Sequence, residues 1–472
     1  MIPVVTPEEM RAIDAAAPEP IEVLIERAGA AVAREALRML GGGYGRTVHV
    51  VAGKGNNGAD GIAAARRLER RGVRCRVHDA ADPPPVLPPA DLVVDAAYGT
   101  GFRGEWSPPA VGATPVLAVD VVSGLDALTG AVSGRVVRAE RTITFQAMKP
   151  GHLLGAGPEL SGEVVVADIG LDVSSAQRHL VTADACAARW PRRRTDDHKW
   201  GSAVRLVAGS AEMPGAAVLA ASAAARAGAG LVSLAVPGTR VDDGVGRPPN
   251  GVAAPAEIVQ RFLPSVDFAA SALDDVDRFG ALVVGPGLGR GASVLDAARQ
   301  VVADAPVPVV IDGDGIAAVA ESEGGPAALL ADRASSSVLT PHDGEFERLT
   351  GHRPGPDRPA EVVEVAARLG ATVLLKGPTT AVASPDGRVR FVDHGDERLA
   401  TAGTGDVLSG IVAALLARGT DPLDAAAVGA WVHADAGRVA GAAGLVAGDL
   451  VRALPAVIGR LGHASATGRV AW

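Results

Sequence analysis

A short glycine-rich segment near the C-terminal end of the chain carries the residue types that phosphoryl transfer requires. Residues 400–410 read ATAGTGDVLSG, and a helix is predicted from Val407 to about Ala417. Gly403 and Gly405 allow close approach to the backbone, and a helix N-terminus offers unpaired N–H groups and a favourable dipole to an anion. Asp406 is placed to take a proton from a hydroxyl that is being phosphorylated. Aspartate is also a preferred helix cap, so this segment alone leaves both interpretations open.

A second glycine-rich segment follows an apolar run in the first half of the chain. Residues 53–61 read GKGNNGADG, which differs from the dinucleotide motif GxGxxG because Asn56 and Asn57 occupy its centre. Asp95 and Asp120 each follow a further apolar run. The glycine-rich segment and these two aspartates should therefore lie together at one edge of a parallel sheet. Their oxygen atoms would suit a hard cation, and a second carboxylate could move protons. Each aspartate alone could equally cap a loop, and the coincidence of three strand ends favours a site.

Composition limits the class of protein. The chain has 472 residues, 48% apolar and 21% charged, which is enough for two or three domains. A net charge of −9 argues against nucleic acid or an anionic membrane as the main partner. The N-terminus lacks the pattern of an export signal and there are only two cysteines, so we expect a cytoplasmic protein without disulfides. The apolar stretch from Gly215 to Val236 contains Arg226, and it predicts a buried helix followed by a strand.

Short apolar runs alternate with helical patterns along the chain, which indicates parallel sheets covered by helices. The predicted strands are Val48–Ala52, Arg74–His78, Leu92–Ala96, Val116–Val119, Arg141–Phe145 and Glu163–Ala167, then Ala203–Ala208, Leu231–Ala235, Ala281–Val284, Val309–Asp312, Ser337–Leu339 and Thr372–Leu375. A helix is predicted at Ile62–Arg71, and a helix-rich end at Val407–Leu461. The charged segment 190–199 is the predicted boundary. We therefore expect an α/β chain with two tandem domains, 1–190 and 196–472.

The first half resembles the NAD(P)H-hydrate epimerase domain over about residues 5–175. The motifs GNNGGDG, DAxxGTG and DIPSG of that family correspond to GNNGADG at 55–61, DAAYGTG at 95–101 and DVVSG at 120–124. The resemblance implies a Rossmann-like three-layer α/β/α domain with Asp120 as the acid/base. It implies potassium ligands at Asn57, Asp95 and Ser123. The implied contacts with the hydrated dinucleotide are Asn56, Asn57, Gly58, Ala59, Asp60, Gly99, Thr100, Gly101, Phe102, Arg103, Gly104 and Glu105.

Two residues of this half depart from the family pattern. Ala59 stands where the family has a glycine at a point of close approach, and Val122 stands where it has the proline that stiffens a turn. Neither change removes a functional group. They bear on turnover in this half more than on ligand binding.

The second half is similar to the ADP/ATP-dependent NAD(P)H-hydrate dehydratase, a member of the ribokinase-like fold, over about residues 196–460. The resemblance rests on GPGLG at 285–289, TPHDGE at 340–345, LKG at 375–377 and GTGD at 403–406. It implies that Ala216, Gly287, His342 and Asp406 hold the hydrated nicotinamide. The implied nucleotide site consists of Lys376, Gly377, Pro378, Thr379, Thr380 and Gly405, with Mg²⁺ accompanying ADP. Asp343 and Gly313 stand where the family has proline and alanine.

Together the two resemblances imply a bifunctional repair enzyme. It would interconvert the R and S forms of NADHX and NADPHX, and dehydrate the S form at the expense of ADP. We expect a homo-oligomer that binds neither nucleic acid nor membrane. The alternative is a small-molecule kinase of the ribokinase superfamily, whose N-terminal domain would serve only in binding or dimerisation.

Overall fold

The computed structural model describes residues 1–238, 254–441 and 443–467. It divides into two compact units, a first unit from Ile2 to His179 and a second unit that starts at Leu180 and includes Met1. The division therefore comes earlier than the charged segment 190–199 that the sequence indicated. The reason is that the helix Ala183–Arg189 packs against the C-terminal helices Pro422–Val439 and Ala447–Thr467 of the second unit.

The first unit is built around six parallel strands. These six strands are β2 (Thr47–Ala52), β3 (Arg74–Asp79), β4 (Leu92–Ala96), β5 (Val116–Val119), β6 (Arg141–Phe145) and β7 (Glu163–Ala167). The unit also contains β1 (Ile2–Val4) and part of β8 (Arg178–Leu180), which spans the division, and both lie outside this sheet. Its helices are α1 (Pro7–Ala15), α2 (Ile21–Leu40), α3 (Asn56–Glu69) and the single turn α4 (Gly157–Leu160). The sheet has the order β3-β2-β4-β5-β6-β7.

This strand order reverses direction at β2, which lies between β3 and β4. In open parallel sheets such a reversal leaves a crevice at the carboxyl ends of the strands, where ligands usually bind. Buried residues of α2 and α3, such as Val32 and Leu68, pack against one face of the sheet. Val122 and Leu125 belong to the apolar cluster on the other face. The six predicted strands are confirmed.

The predicted helix Ile62–Arg71 begins earlier in the structure, at Asn56, and ends at Glu69. Most of the glycine-rich segment 53–61 therefore belongs to the first turns of α3. Gly55 is the residue before the helix, and its extended backbone directs the chain into the helix without a side-chain cap. The asparagine pair consequently stands at a helix N-terminus, where backbone N–H groups are unpaired.

The second unit is a larger α/β unit. Its strands are β9 (Ala203–Val207), β10 (Leu231–Pro237), β11 (Val259–Leu263), β12 (Ala281–Val284), β13 (Val309–Ile311), β14 (Ser337–Leu339), β15 (Thr372–Leu375), β16 (Thr380–Ala383) and β17 (Val389–Val392). Its helices are α5 (Ala183–Arg189), α6 (Pro214–Arg226), α7 (Ala269–Leu273), α8 (Ala292–Asp304), α9 (Asp314–Ala320), α10 (Gly325–Ala331), α11 (Asp343–Thr350), α12 (Arg358–Leu369), α13 (Thr404–Ala417), α14 (Pro422–Val439) and α15 (Ala447–Thr467).

The strands of this unit follow the order β17-β16-β15-β14-β13-β12-β9-β10-β11. They are parallel except for the antiparallel pairs β15–β16 and β16–β17. Six of the seven parallel strands of this unit were predicted, whereas the parallel edge strand β11 and the antiparallel strands β16 and β17 were not. The predicted helix followed by a strand at 215–236 is confirmed as α6 and β10. Among the described helices, none combines the length and the apolar character needed to cross a membrane.

Helix α13 is the central helix of the second unit. It begins at Thr404, three positions before the predicted start, and every residue from Val407 to Ala417 is buried. It packs closely on α6, because a side chain at Gly410 would come within 2.1 Å of the carbonyl oxygen of Ala220. This packing holds the GTGD turn at the sheet edge.

Candidate active sites

In the first unit, the glycine-rich segment turns sharply from β2 into α3. A Cβ atom at Gly58 would lie 1.8 Å from the carbonyl oxygen of Gly53, so only glycine allows this approach. Ala59, by contrast, adopts an ordinary helical conformation, and its N–H donates to the carbonyl oxygen of Gly55. The alanine in place of the family's glycine therefore causes no backbone strain. Asn56, the first residue of the helix, is exposed.

The structure brings Asn57, Asp95 and Ser123 to the crevice where β2 and β4 end. Ser123 Oγ donates to Asp95 Oδ1 at 2.6 Å, and Ser123 N donates to Asp95 Oδ2 at 2.9 Å. Burial raises the pKa of Asp95, while the hydrogen bonds from Ser123 oppose that rise. Both polar atoms of the Asn57 amide are buried without a hydrogen-bond partner among the described residues. An unpaired buried amide is costly, so the donor set fits an oxygen-coordinated cation.

The predicted acid/base Asp120 lies beside this group. A Cβ atom at Gly99 would come within 3.0 Å of Asp120 Oδ2 and 3.3 Å of Asn57 Cγ, so the three residues are neighbours. The backbone N–H of Thr100 donates to Asp120 Oδ2 at 3.3 Å. Lys149 Nζ lies 2.7 Å from the other carboxylate oxygen, Oδ1. Burial alone would raise the pKa of Asp120, but the ammonium of Lys149 brings it below the ordinary value.

Asp60 has the opposite character. It is buried on α3, and burial together with the negative charges of Asp120 and Asp14 raises its pKa to about 8. Burial also raises the pKa of Asp14, near the end of α1. At neutral pH the site thus contains a protonated Asp60 and an ionised Asp120. Two carboxyl groups whose pKa values are pushed apart are the usual arrangement of an acid and a base.

The remaining predicted contacts form the rim of this site. Phe102 packs against Tyr98, with ring centroids 4.9 Å apart. The other rim residues are exposed on the same loop, namely Gly101, Arg103, Gly104 and Glu105. Sequence reasoning missed three residues at the centre of the site, Thr144, Lys149 and His152. The available signal was a lysine and a histidine shortly after the strand Arg141–Phe145.

In the second unit, parallel strands deliver the predicted residues to one sheet edge. Gly403 precedes α13 with φ +90°, a conformation that favours glycine. His433 on α14 is buried, and its Nε2 lies 2.9 Å from the carbonyl oxygen of Thr404. Burial lowers the pKa of His433 to about 4, so the neutral ring donates this hydrogen bond. A histidine with no predicted role therefore supports the GTGD turn.

Lys376 reaches the same turn from the end of β15. Its Nζ lies 3.0 Å from Asp312 Oδ1 and 3.6 Å from Glu345 Oε2, and a Cβ atom at Gly405 would come within 3.4 Å of it. Burial would lower the pKa of Lys376, but these carboxylates raise it overall. Ser409 Oγ on α13 donates to the second oxygen of Asp312 at 2.6 Å. Asp312 was not predicted as a site residue, and it links Lys376 to α13.

Asp406 is the third residue of α13. Burial and the nearby carboxylate of Asp312 raise its pKa to about 7, whereas Lys376 acts in the opposite direction. A general base works best when its pKa is close to the working pH, because it is then available and still basic enough to accept a proton. The electrostatics of the turn thus suit the predicted role of Asp406.

The predicted nicotinamide-side residues lie at neighbouring strand ends. A Cβ atom at Gly287 would come within 2.9 Å of the Cβ atom of Ala216, so these two are in contact. His342 caps α11, where its Nδ1 accepts from the backbone N–H groups of Gly344 and Glu345. Because Nδ1 is an acceptor, the neutral ring carries its proton on Nε2. The His342 side chain is 60% exposed, which leaves it accessible to a ligand.

The predicted nucleotide residues form the turn between β15 and β16. Gly377 and Pro378 are exposed, Thr379 is buried and Thr380 begins β16. Arg358 was missed by sequence reasoning. Its Nη2 donates to the carbonyl oxygen of Lys376 at 2.9 Å and to Asp343 at 2.8 Å, which holds the start of the turn.

Comparisons with known proteins identify a family for each half of the chain. Residues 204–456 match the family model described as NAD(P)H-hydrate dehydratase, and residues 21–87 and 76–151 match the YjeF-related protein N-terminus. The bifunctional NAD(P)H-hydrate repair enzyme Nnr of Moorella thermoacetica is 35% identical, with 97% of each chain covered. The corresponding protein of Mycobacterium tuberculosis is 38% identical, with 84% of each chain covered.

A solved structure supports the fold of the second unit. A ribokinase-like superfamily protein from Enterococcus faecalis aligns with a TM-score of 0.50 and 23% identity, covering 60% of this chain and 96% of that one. The likeness shows the ribokinase-like fold. With relatives matched over nearly its full length and a model matched in each half, the chain belongs to the family of bifunctional NAD(P)H-hydrate repair enzymes.

Proposed function

We propose that this chain repairs hydrated NADH and NADPH at two separate sites, one in each unit. The first unit would interconvert the R and S hydrates, and the second would dehydrate the S form. The observation that supports this proposal is that, in each unit, the carboxylate proposed as acid/base, Asp120 or Asp406, lies beside a glycine-rich turn at a sheet edge. Hydration in solution yields both configurations at C6, so an epimerase supplies the stereospecific dehydratase.

Dehydration needs help because hydroxide is a poor leaving group. Asp406 would take the proton of the C6 hydroxyl while the hydroxyl oxygen attacks the terminal phosphoryl group of the nucleotide. The N–H groups at the start of α13 would bind the phosphoryl oxygens, and Lys376 would add a positive charge there. The lone pair of the ring nitrogen would then expel phosphate, and loss of the C5 proton would restore the reduced nicotinamide.

Epimerisation requires that the N1–C6 bond be cleaved and formed again. Asp120 would accept the proton of the hydroxyl, the N1–C6 bond would open to an aldehyde, and Asp60 would give its proton to N1. Rotation about C5–C6 exposes the other face of the aldehyde. On ring closure Asp60 takes back the proton from N1, Asp120 gives its proton to the aldehyde oxygen, and the configuration at C6 is inverted. The neutral Asp60 and the ionised Asp120 are the protonation states that this sequence of steps requires.

The two sites call for different ions. We propose K⁺ in the first unit, held by Asn57, Asp95 and Ser123, where the unpaired Asn57 amide and the serine hydroxyl offer neutral oxygen ligands. In the second unit, the carboxylates of Asp312, Glu345 and Asp406 surround one lysine. A polyanionic nucleotide would meet repulsion there, which Mg²⁺ on its phosphates would offset.

The nucleotide assignment rests on Lys376, Gly405 and the turn from Gly377 to Thr380. We propose ADP as phosphoryl donor with AMP and phosphate as products. The same proposal includes a homo-oligomer that works in the cytoplasm on small-molecule substrates. A net charge of −9 disfavours binding to the phosphate backbone of nucleic acid.

The direct test uses the full chain with mixed R and S NADHX, Mg²⁺, K⁺ and ADP or ATP. Return of the near-ultraviolet absorbance of NADH, together with release of phosphate, supports the proposal. Accumulation of a stable phosphorylated product, with no NADH, would instead identify a kinase. Recovery of only the S fraction at the catalysed rate would show that the first unit binds without epimerising.

A further inference from the structure

Lys149 is almost completely buried in the first unit, although lysine is normally exposed. Its side chain is 1% exposed, and its ammonium is hydrogen-bonded to several oxygen atoms. Nζ lies 2.7 Å from Asp120 Oδ1, 2.8 Å from Thr144 Oγ1 and 3.2 Å from the carbonyl oxygen of Ala147. A buried ammonium is unfavourable unless it is paired and hydrogen-bonded, and here it is both.

The partner of this ammonium is held in an unusual backbone conformation. Asp120 has φ +67°, and Val121 N donates to the carbonyl oxygen of Val119 at 2.9 Å across it. A non-glycine residue at the centre of such a three-residue turn is strained, so surrounding contacts must hold it in place. The turn directs the Asp120 side chain away from the strand ladder, towards the ammonium of Lys149 and the N–H of Thr100.

The hydrogen bonds around Asp120 have a consistent direction. Thr144 Oγ1 accepts from Lys149 Nζ and donates to Asp120 Oδ1 at 3.0 Å. His152 Nδ1 accepts from the backbone N–H of Lys149, so the proton of the neutral ring lies on Nε2, which donates to the carbonyl oxygen of Asp120 at 2.9 Å. Side chain and backbone of Asp120 are thus tied to the segment 144–152, which follows the neighbouring strand β6.

The charges around Asp120 come from three elements. Asp60 on α3 and Asp14 on α1 are carboxyl groups near Asp120, and the charge of Asp120 raises the pKa of both. His152 adds no positive charge at neutral pH, because burial and the nearby ammonium lower its pKa to about 4. Within the described part of the chain, Lys149 is the cation that the structure pairs with Asp120.

We propose that Lys149 is a positioning residue of the epimerase site, whose ammonium orients Asp120 and keeps its carboxylate charged so that it can accept the substrate proton. This inference rests on the epimerase activity proposed above. When Asp120 takes the proton, a charged pair becomes a neutral acid beside a buried ammonium. That state is less favourable, so the proton returns readily when the ring closes, as an interconversion in both directions requires.

The test compares pH profiles of epimerisation in the full chain. Lys149→Met keeps the length of the side chain but removes the charge. We expect the acidic limb of kcat/KM to move to higher pH by about 1 to 3 units, the usual influence of a close opposite charge. The loss of rate should therefore grow as the pH falls from 9 towards the acidic limb, and about one pH unit below the limb of the variant it should be several-fold greater than at pH 9. Arg46→Met is the matched control, since it removes a cation from the exposed pair with Asp91 and should leave the profile unchanged.

A double variant separates positioning from general support of the fold. In the Asp120→Asn background, adding Lys149→Met should lower the residual epimerisation by less than about twofold, because the group through which Lys149 acts is already gone. Equal losses at every pH, or a further large loss in the Asp120→Asn background, would overturn the proposal.

A measurement on the unmutated chain covers the case in which Lys149→Met does not fold. Carbon NMR of labelled aspartate carboxyls, with Asp120 identified by its loss in Asp120→Asn, should show Asp120 ionised down to below about pH 4. Titration above that value overturns the inference. If the unmutated chain fails to interconvert R and S hydrates at all, the proposed epimerase function fails instead, and the two failures are thereby distinguished.

Discussion

Replacing Asp406 by asparagine tests the second site most directly, since the amide keeps the shape of the side chain but cannot accept a proton. A general base usually contributes a factor of about 10² to 10⁴ in rate, which corresponds to roughly 3 to 5 kcal/mol of transition-state stabilisation. We therefore expect Asp406→Asn to lose nearly all dehydration of S-NADHX. Nucleotide binding should change little, because Lys376, Gly405 and the N–H groups of the turn remain.

The same substitution should stabilise the fold at alkaline pH. The pKa of Asp406 rises from the ordinary 3.8 to about 7 through burial and the charge of Asp312. An aspartate whose pKa is raised in the folded state loses stability as pH rises from 3.8 through 7, since the ionised form is the disfavoured one. Above pH 7, ionised Asp406 lowers the free energy of unfolding by at most roughly 4 kcal/mol, and solvent screening reduces this value. A higher melting temperature for Asp406→Asn at pH 8 than for the parent chain is the expected sign.

The assay follows NADH recovery from pure S-NADHX, with nucleotide affinity measured by calorimetry and unfolding by heat. The parent chain should lose activity as pH falls below about 7, when Asp406 becomes protonated. Asp296→Asn, an exposed substitution on α8, serves as the control and should leave all three measurements unchanged. If Asp406→Asn kept more than about a tenth of the parent activity, Asp406 would not be the general base.

Three further outcomes are expected. Asp120→Ala should dehydrate pure S-NADHX normally. With a mixed substrate it should show a fast phase that ends when the S fraction is consumed, followed by a slow phase set by uncatalysed epimerisation. Removal of K⁺ should give the same two phases, and complete repair in a single phase would show that Asp120 is not the acid/base. ADP should serve at least as well as ATP and yield AMP, as chromatography of the products would reveal, whereas a strict requirement for ATP would contradict the assignment. Burial lowers the pKa of both His49 and His78, and His49 Nδ1 lies 2.8 Å from His78 Nε2. Because the unfolded chain then binds protons more readily than the folded one, the free energy of unfolding should fall as the pH drops below about 6.5. A His78→Phe variant that unfolds with the same acid sensitivity would contradict this explanation.

Much of the architecture was predictable because strand and turn signals are local. In the first unit, all six predicted strands match the observed bounds or differ from them by one residue. In the second unit, six of the seven parallel strands were predicted, and β11 was not. Apolar runs and glycine-rich turns depend on neighbours in the chain, so the sequence reports them directly. Helix starts were less accurate, as α3 begins at Asn56 and α13 at Thr404, because a helix can extend into a glycine-rich segment whose conformation is set by packing.

The sequence by itself therefore determined the α/β class, the two glycine-rich turns and the carboxylates that follow them. Only the tertiary structure decided which distant groups meet those carboxylates. Lys149 reaches Asp120 because β5 and β6 are adjacent in the sheet, and Ser409 reaches Asp312 because α13 packs against β12 and β13. Such contacts join residues far apart in the chain, so no local pattern encodes them. They also set the pKa values that distinguish Asp60 from Asp120, since desolvation and charge act through space.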